Sequence, residues 1–183
     1  SFAVANKEPN RNDFENGIST PENLNDYELG WRLKSESISL NTNVYYMLYK
    51  NQLVLTGAID NVGAPVRATS GKSYRLGLEI DADIKMSNHF SVRPNIALSN
   101  NKNTDFVSSV NGSLNDLGNT DISFSPSIIA GNALVFSPME NVQFSFLSKY
   151  VGKQYMSNLN SIVSKNDVLE GYFTSDFNFT YIL

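Results

Sequence analysis

Along this chain the connections between segments of alternating polarity are themselves alternately long and short, and few folds accommodate that order. The segments are Ser1 to Asn6, Tyr27 to Lys34, Ser37 to Tyr49, Ser73 to Lys85, His89 to Ser99, Thr120 to Phe136, Asn141 to Val151 and Gly171 to Leu183. Tight turns are expected around Glu36, Ser87 and Met139. Lys7 to Asp26, Lys50 to Lys72, Asn100 to Asn119 and Gly152 to Glu170 read as long loops rich in Asn, Ser, Gly and Asp. In an up-and-down meander every second connection emerges at the same end, so all the long loops share one rim and all the tight turns the other. A membrane β-barrel has this arrangement.

Within the segments the pattern has a period of two. In "SYRLGLEIDADIK", Tyr74, Leu76, Leu78, Ile80, Ala82 and Ile84 project to one face, and Arg75, Gly77, Glu79, Asp81 and Asp83 to the other. Tyr27, Leu29, Trp31 and Leu33 oppose Glu28, Gly30, Arg32 and Lys34 in the same way. Segments of ten or more residues suit a tilted bilayer crossing of about 9–11 residues, whereas globular strands average roughly 5–6. Tyrosines and phenylalanines gather near segment ends, as an interfacial girdle would require. The expected fold is all-β: an antiparallel up-and-down meander of about eight strands, part of a transmembrane β-barrel. A soluble sandwich also alternates, with its apolar faces turned to a second sheet, and pattern alone leaves it open. Thr120 to Phe136 fits least well, because Ile128, Ile129 and Ala130 run together.

Composition narrows the partners. A net charge of −4 with scattered Lys and Arg lacks the basic patch that a nucleic acid requires. The absence of cysteine removes disulfides, thiol nucleophiles and cysteine metal sites. No apolar run approaches the roughly 20 residues of a membrane-spanning helix. The opening "SFAVANK" already alternates, as though cut from within a strand, and the expectation is a piece of something longer.

Several stretches resemble the TonB-dependent outer-membrane receptors of Gram-negative bacteria. They are "SFAVANKEPNRNDF" (Ser1 to Phe14), "DYELGWR" (Asp26 to Arg32), "NVYYMLYKNQLVLTGAIDNVG" (Asn43 to Gly63), "SYRLGLEI" (Ser73 to Ile80), "TDISFSP" (Thr120 to Pro126), "KYVGKQYMSN" (Lys149 to Asn158) and "GYFTSDFNFTY" (Gly171 to Tyr181), in the order expected for the later strands of such a barrel. The resemblance implies a barrel of roughly 22 strands with a plugged lumen, located in the cell outer membrane. Such a barrel takes up a scarce nutrient, expected here to be a ferric siderophore or similar iron complex, with energy delivered by TonB through an N-terminal part. On this reading residues 1–183 are a barrel fragment without the plug domain and closing strands, in contact with outer-membrane lipid. The alternatives are a small closed eight-stranded structural or adhesive barrel and a soluble carbohydrate-binding β-sandwich.

No catalytic set, metal site or cofactor is expected. His89 stands alone beside Phe90 in a turn. Glu79, Asp81 and Asp83 form a same-face carboxylate ladder; the preferred reading is a wet lumen wall, which with Arg32 and Arg75 gives the lumen-facing polar set, either arginine serving as a neutralising partner. In "KEPNRND", Asn10 and Arg11 are candidates to clasp an anionic chelate, or, preferably, to pin the loop to its neighbours. Tyr49, Gln154 and Tyr155, with Tyr45, fall toward the loop end, where the family's ligand-binding aromatics are placed; membership of the girdle is the preferred alternative. "TGAIDNVGAP" (Thr56 to Pro65) lacks the lysine of a phosphate loop and reads as an exposed turn, and "NGS" at Asn111 is a sequon without use in a bacterial outer membrane.

Overall fold

The computed structural model describes residues 1–15, 17–59, 63, 65–69, 71–104, 106–110, 113–158 and 168–182. In chain order its elements are β1 (Phe2–Lys7), α1 (Arg11–Glu15), β2 (Glu22–Lys34), β3 (Ile38–Lys50), β4 (Leu53–Ile59), β5 (Pro65–Thr69), β6 (Lys72–Lys85), β7 (Phe90–Thr104), β8 (Val107–Val110), β9 (Ser113–Asp116), β10 (Thr120–Asp121), β11 (Ile128–Met139), β12 (Val142–Val151), β13 (Gln154–Tyr155), β14 (Val168–Leu169) and β15 (Tyr172–Tyr181). One antiparallel sheet runs β1-β2-β3-β6-β7-β11-β12-β15, with β10 added at the end of β7. The order in the sheet is the order in the chain, so it is an up-and-down meander.

The three tight connections join β2 to β3, β6 to β7 and β11 to β12 at one end. Side-chain to backbone bonds close the first two: the Ile38 amide donates to Ser35 Oγ at 3.1 Å, and the Phe90 amide to Ser87 Oγ at 3.1 Å. His89 belongs to this end, its Nδ1 2.9 Å from the Ser137 carbonyl oxygen, an exposed structural contact. The long connections lie at the other end and carry α1 and the small pairs β4–β5, β8–β9 and β13–β14.

Several details differ from expectation. Strand β2 begins at Glu22 rather than Tyr27, because β1 and β3 supply ladder partners to residues whose polarity reads as loop. Thr120 to Phe136 is two pieces: β10 pairs with β7, the backbone then turns, with Phe124 at φ 52°, and β11 begins at Ile128. Consecutive apolar residues at Ile128 and Ile129 mark a strand start, where alternation gives no guide. Strand β7 continues to Thr104, through residues whose polarity reads as loop, because β6 and β10 supply ladder partners there. The Lys50 to Lys72 loop contains the β4–β5 hairpin; the tip of "TGAIDNVGAP" and Asn111 lie outside the described residues.

Register sorts the sheet into two faces. Leu29 pairs with Val44, Val44 with Leu78, and Leu78 with Leu98, while Arg32 pairs with Asn41, Asn41 with Asp81, and Asp81 with Asn95. From Ile38 to Leu48 the apolar series covers roughly 33 Å of strand, which at a barrel's usual tilt projects to about 25 Å, the height of a lipid-facing band. One row, Asn132, Ser148 and Ser175, interrupts it.

The apolar face is uncovered: Leu29 is 76% and Phe177 67% exposed. Among the described residues the buried hydrophobic side chains are Ile18, Phe106, Ile122 and Val151, all at the loop end. A sandwich would bury the sheet's central face instead, so that alternative is set aside. The closed eight-stranded barrel is set aside too, since β1 and β15 stand at opposite ends of an open path.

Aromatics occupy both margins of the apolar face. Phe2 packs tilted against Tyr27 at 4.9 Å between ring centroids, Tyr27 is in register with Tyr46, and Tyr46 lies 6.2 Å from Tyr74 toward the loop end. Toward the turn end, Phe144 contacts Phe179 at 5.2 Å and Phe136 at 6.3 Å. Tyr45 and Tyr49 belong to the opposite, polar face, which corrects their reading as girdle members: in β3 odd-numbered residues face away from Tyr46.

Candidate functional site

The polar face is a wall of cross-strand hydrogen bonds. Arg32 Nε donates to Asn41 Oδ1 at 2.7 Å, and Asn41 Nδ2 donates to Asp81 Oδ1 at 2.9 Å, so one amide bridges the cation on β2 and the carboxylate on β6. Asp83 is answered by Arg93, whose Nε lies 3.0 Å from Oδ2. The register that pairs Asp81 with Asn95 and Ile84 with Val92 sets Arg93 across from Asp83. Arg32, Glu79, Asp81 and Asp83 therefore share this wall with Arg75, but the neutralising partner of Asp83 is a residue that sequence reading passed over. Only the β6–β7 register could have revealed it.

Arg75 is engaged differently. Its guanidinium lies over the Tyr49 ring, 5.1 Å from the centroid, and its buried Nε has no hydrogen-bond partner among the described residues. A cation held on an aromatic face is stabilised by the ring quadrupole. Next to it Tyr45 lies across Gly77, where a Cβ would collide with the ring. Asn95 fills the notch over Gly131 likewise, Oδ1 standing 2.9 Å from where a Cβ would be.

At the loop rim the bonding is tighter and more buried. Asn10 caps α1 reciprocally: the Asp13 amide donates to Asn10 Oδ1 and the Asn10 amide to Asp13 Oδ2, both at 2.9 Å. Asp13, 4% exposed, also faces Arg67 Nε of β5 at 3.6 Å. Among the described residues Arg11 is bonded within its own helix, to Glu15 at 2.8 Å, so the contact seen to pin this loop is Asp13 to Arg67. Ser73 Oγ donates to Gln52 Oε1 in a buried, short bond, and Asn103 Nδ2 donates to Thr120 Oγ1 at 3.1 Å, both residues fully buried. These tie the bases of two loops to the polar face.

Gln154 and Tyr155 form β13, pairing with Leu169 and Val168. The Tyr155 carbonyl accepts from the Phe124 amide at 2.8 Å, and Lys153 Nζ lies 5.7 Å from its ring centroid. The five loop-end candidates thus fall in three places: Asn10 and Arg11 on the first loop, Tyr49 at the end of β3, Gln154 and Tyr155 on the last. Their contacts do not join them into one pocket. Among the described residues no group of three His, Asp or Glu side chains could hold a metal ion.

The "TonB dependent receptor-like, beta-barrel" family model matches residues 5–182. Solved structures of similar fold include the ferric yersiniabactin uptake receptor FyuA from Yersinia pestis (TM-score 0.70, 17% identity, covering 98% of this chain and 26% of that one). The siderophore receptor PiuA from Acinetobacter baumannii is another (0.72, 15%, 98% and 26%), as is the copper transporter OprC (0.73, 14%, 98% and 27%). The chain spans about a quarter of the length of these structures. No curated protein matches it. A one-sided meander with all its long loops on one rim, matched almost throughout by the family model, belongs to the TonB-dependent receptor β-barrel family, whose members are outer-membrane β-barrels.

Proposed function

We propose that this chain is a wall segment of an outer-membrane TonB-dependent receptor that imports a ferric siderophore or a similar iron complex. The observation that carries the reading is the uncovered apolar face, bounded by aromatics at both margins, on a sheet whose long loops share one rim. In this reading the apolar face touches lipid, and Arg32, Arg75, Glu79, Asp81 and Asp83 look into the lumen. The open edges at β1 and β15 and the quarter-length match to FyuA and PiuA support further strands and a plug that complete the barrel in the whole receptor, with TonB acting through an N-terminal part. Asn10, Arg11, Tyr49, Gln154 and Tyr155 are proposed for the external rim. The exposed Arg11 guanidinium is its donor for an anionic chelate, which Arg recognises through its planar fork. The names of FyuA and PiuA support the siderophore class.

Two measurements test this. Single-cysteine spin labels from Tyr74 to Ile84 in the whole receptor in lipid should show oxygen access peaking at Leu76, Leu78 and Ile80, and nickel-reagent access at Arg75, Glu79 and Asp81. Closure of the even positions to both reagents overturns the lipid-facing reading. Fluorescence quenching titrations of the whole receptor with a panel of ferric siderophores and with copper ion test the substrate; saturation by copper alone overturns the iron assignment and leaves the barrel standing.

A further inference from the structure

Toward the loop end the apolar face changes character row by row. Leu29, Val44, Leu78 and Leu98 stand in register across four strands; the next row outward is Tyr27, Tyr46, Leu76 and Asn100; then come Asn25, Leu48, Tyr74 and Lys102; the last is Asn23, Lys50, Lys72 and Thr104. Lys50 and Lys72 are therefore direct cross-strand neighbours, both exposed and on the apolar-side parity, one row beyond Tyr74. Like charges set directly opposite destabilise a sheet.

The neighbours leave this pair uncompensated. Lys102 is neutralised by Asp121, Nζ to Oδ1 at 2.5 Å, whereas neither Lys50 nor Lys72 has an ion-pair partner among the described residues. The flanking polar side chains are already used: Asn23 Nδ2 donates to the Pro21 carbonyl at 3.0 Å, and Thr104 Oγ1 donates to the Lys72 carbonyl at 3.0 Å. Among the described residues the two ammonium groups remain as free donors, just outside an aromatic row of the kind that sits at headgroup level.

We infer that Lys50 and Lys72 together bind the phosphate of an anionic lipid headgroup in the leaflet on the loop side. The inference rests on the membrane placement proposed above. A phosphate between the two ammonium groups removes their mutual repulsion. The acyl chains of the same lipid would descend along Tyr74, Leu76, Leu78 and Leu98, which continue the face inward. That continuity favours a lipid over free phosphate, which would gain the charge contact but none of the apolar one.

The test uses the whole receptor in detergent, with lipid A as the probe and native mass spectrometry to count bound lipid. At about fivefold per lysine near a membrane surface, Lys50→Gln with Lys72→Gln should weaken lipid A retention roughly 30-fold, while Lys34→Gln at the turn end should leave it unchanged. Lys72→Glu guards against a folding artefact: it gives Lys50 a cross-strand partner and should also lose the lipid. Equal retention by wild type and both variants overturns the inference, as does displacement of lipid A by millimolar inorganic phosphate. The spin-label scan separates the two ideas. If Leu78 is lipid-accessible and the lysines are irrelevant, only this inference fails; if Leu78 is closed, the membrane placement itself fails.

Discussion

The ring of Tyr45 on β3 lies across Gly77 on β6, filling the space that any Cβ at that position would need. The pair works as a buttress on the polar face: the glycine forms the notch, and the tyrosine ring reaches across from the neighbouring strand to fill it. Gly77→Ala should force the ring out and cost about 1–3 kcal/mol, the usual range for overpacking. Urea titration of the whole receptor in detergent checks this. Tyr45→Ala in the Gly77→Ala background should recover part of the loss, and no recovery would show that the strain lies elsewhere.

The buried pair of Asn103 and Thr120 predicts a local effect. Thr120→Val removes the acceptor of Asn103 Nδ2 and leaves a donor unsatisfied in a fully buried place, at roughly 1–3 kcal/mol. Hydrogen exchange should accelerate at Thr120, Asp121 and Ile122 while amides in the middle of β6 and β7 hold. Uniform acceleration over the whole sheet would mean that this pair supports the wall as well as the loop.

For the first loop the prediction concerns Asp13, which both caps α1 and meets Arg67. Asp13→Ala loses both contacts, about 1–2 kcal/mol of local stability. Limited proteolysis should then cut between Glu8 and Ile18 sooner than in the wild type. Arg11→Gln, which disturbs only an exposed pair with Glu15, should leave the cleavage rate unchanged.

The ion pair of Asp83 and Arg93 is half-exposed on both sides, so its coupling should be small. A double-mutant cycle with Asp83→Asn and Arg93→Gln is expected to give about 0.2–1 kcal/mol, falling as salt rises. A larger, salt-insensitive value would mean that another part of the receptor covers this stretch of wall.

Period-two patterning made the sheet legible from sequence because each strand has one apolar and one polar face, so "SYRLGLEIDADIK" carries its own orientation. Turn residues around Glu36, Ser87 and Met139 located the hairpin ends for the same local reason. What was hidden is non-local. Arg93 and Asp83 find each other through a register between strands, and the polar-face role of Tyr45 depends on a glycine in the next strand. The break at Phe124 and the outer part of β7 were missed because polarity there follows buried loop bases instead of a two-sided sheet. Asn10 illustrates the limit for the candidate site: Asn followed three residues later by Asp is a helix-capping signature, and the structure uses it so.

The placement of every tight turn on one rim has a consequence for how such a chain can change. Each of the hairpins β2–β3, β6–β7 and β11–β12 has its register set by a short connection at the turn end, so nothing on the opposite rim is needed to align those strands. Loops there can lengthen, shorten or be exchanged at the modest entropic cost of loop closure, which grows only slowly with length. The molecule thus separates heritable variation from architecture: one end is free to acquire new contacts, while the other keeps the count and alignment of the staves.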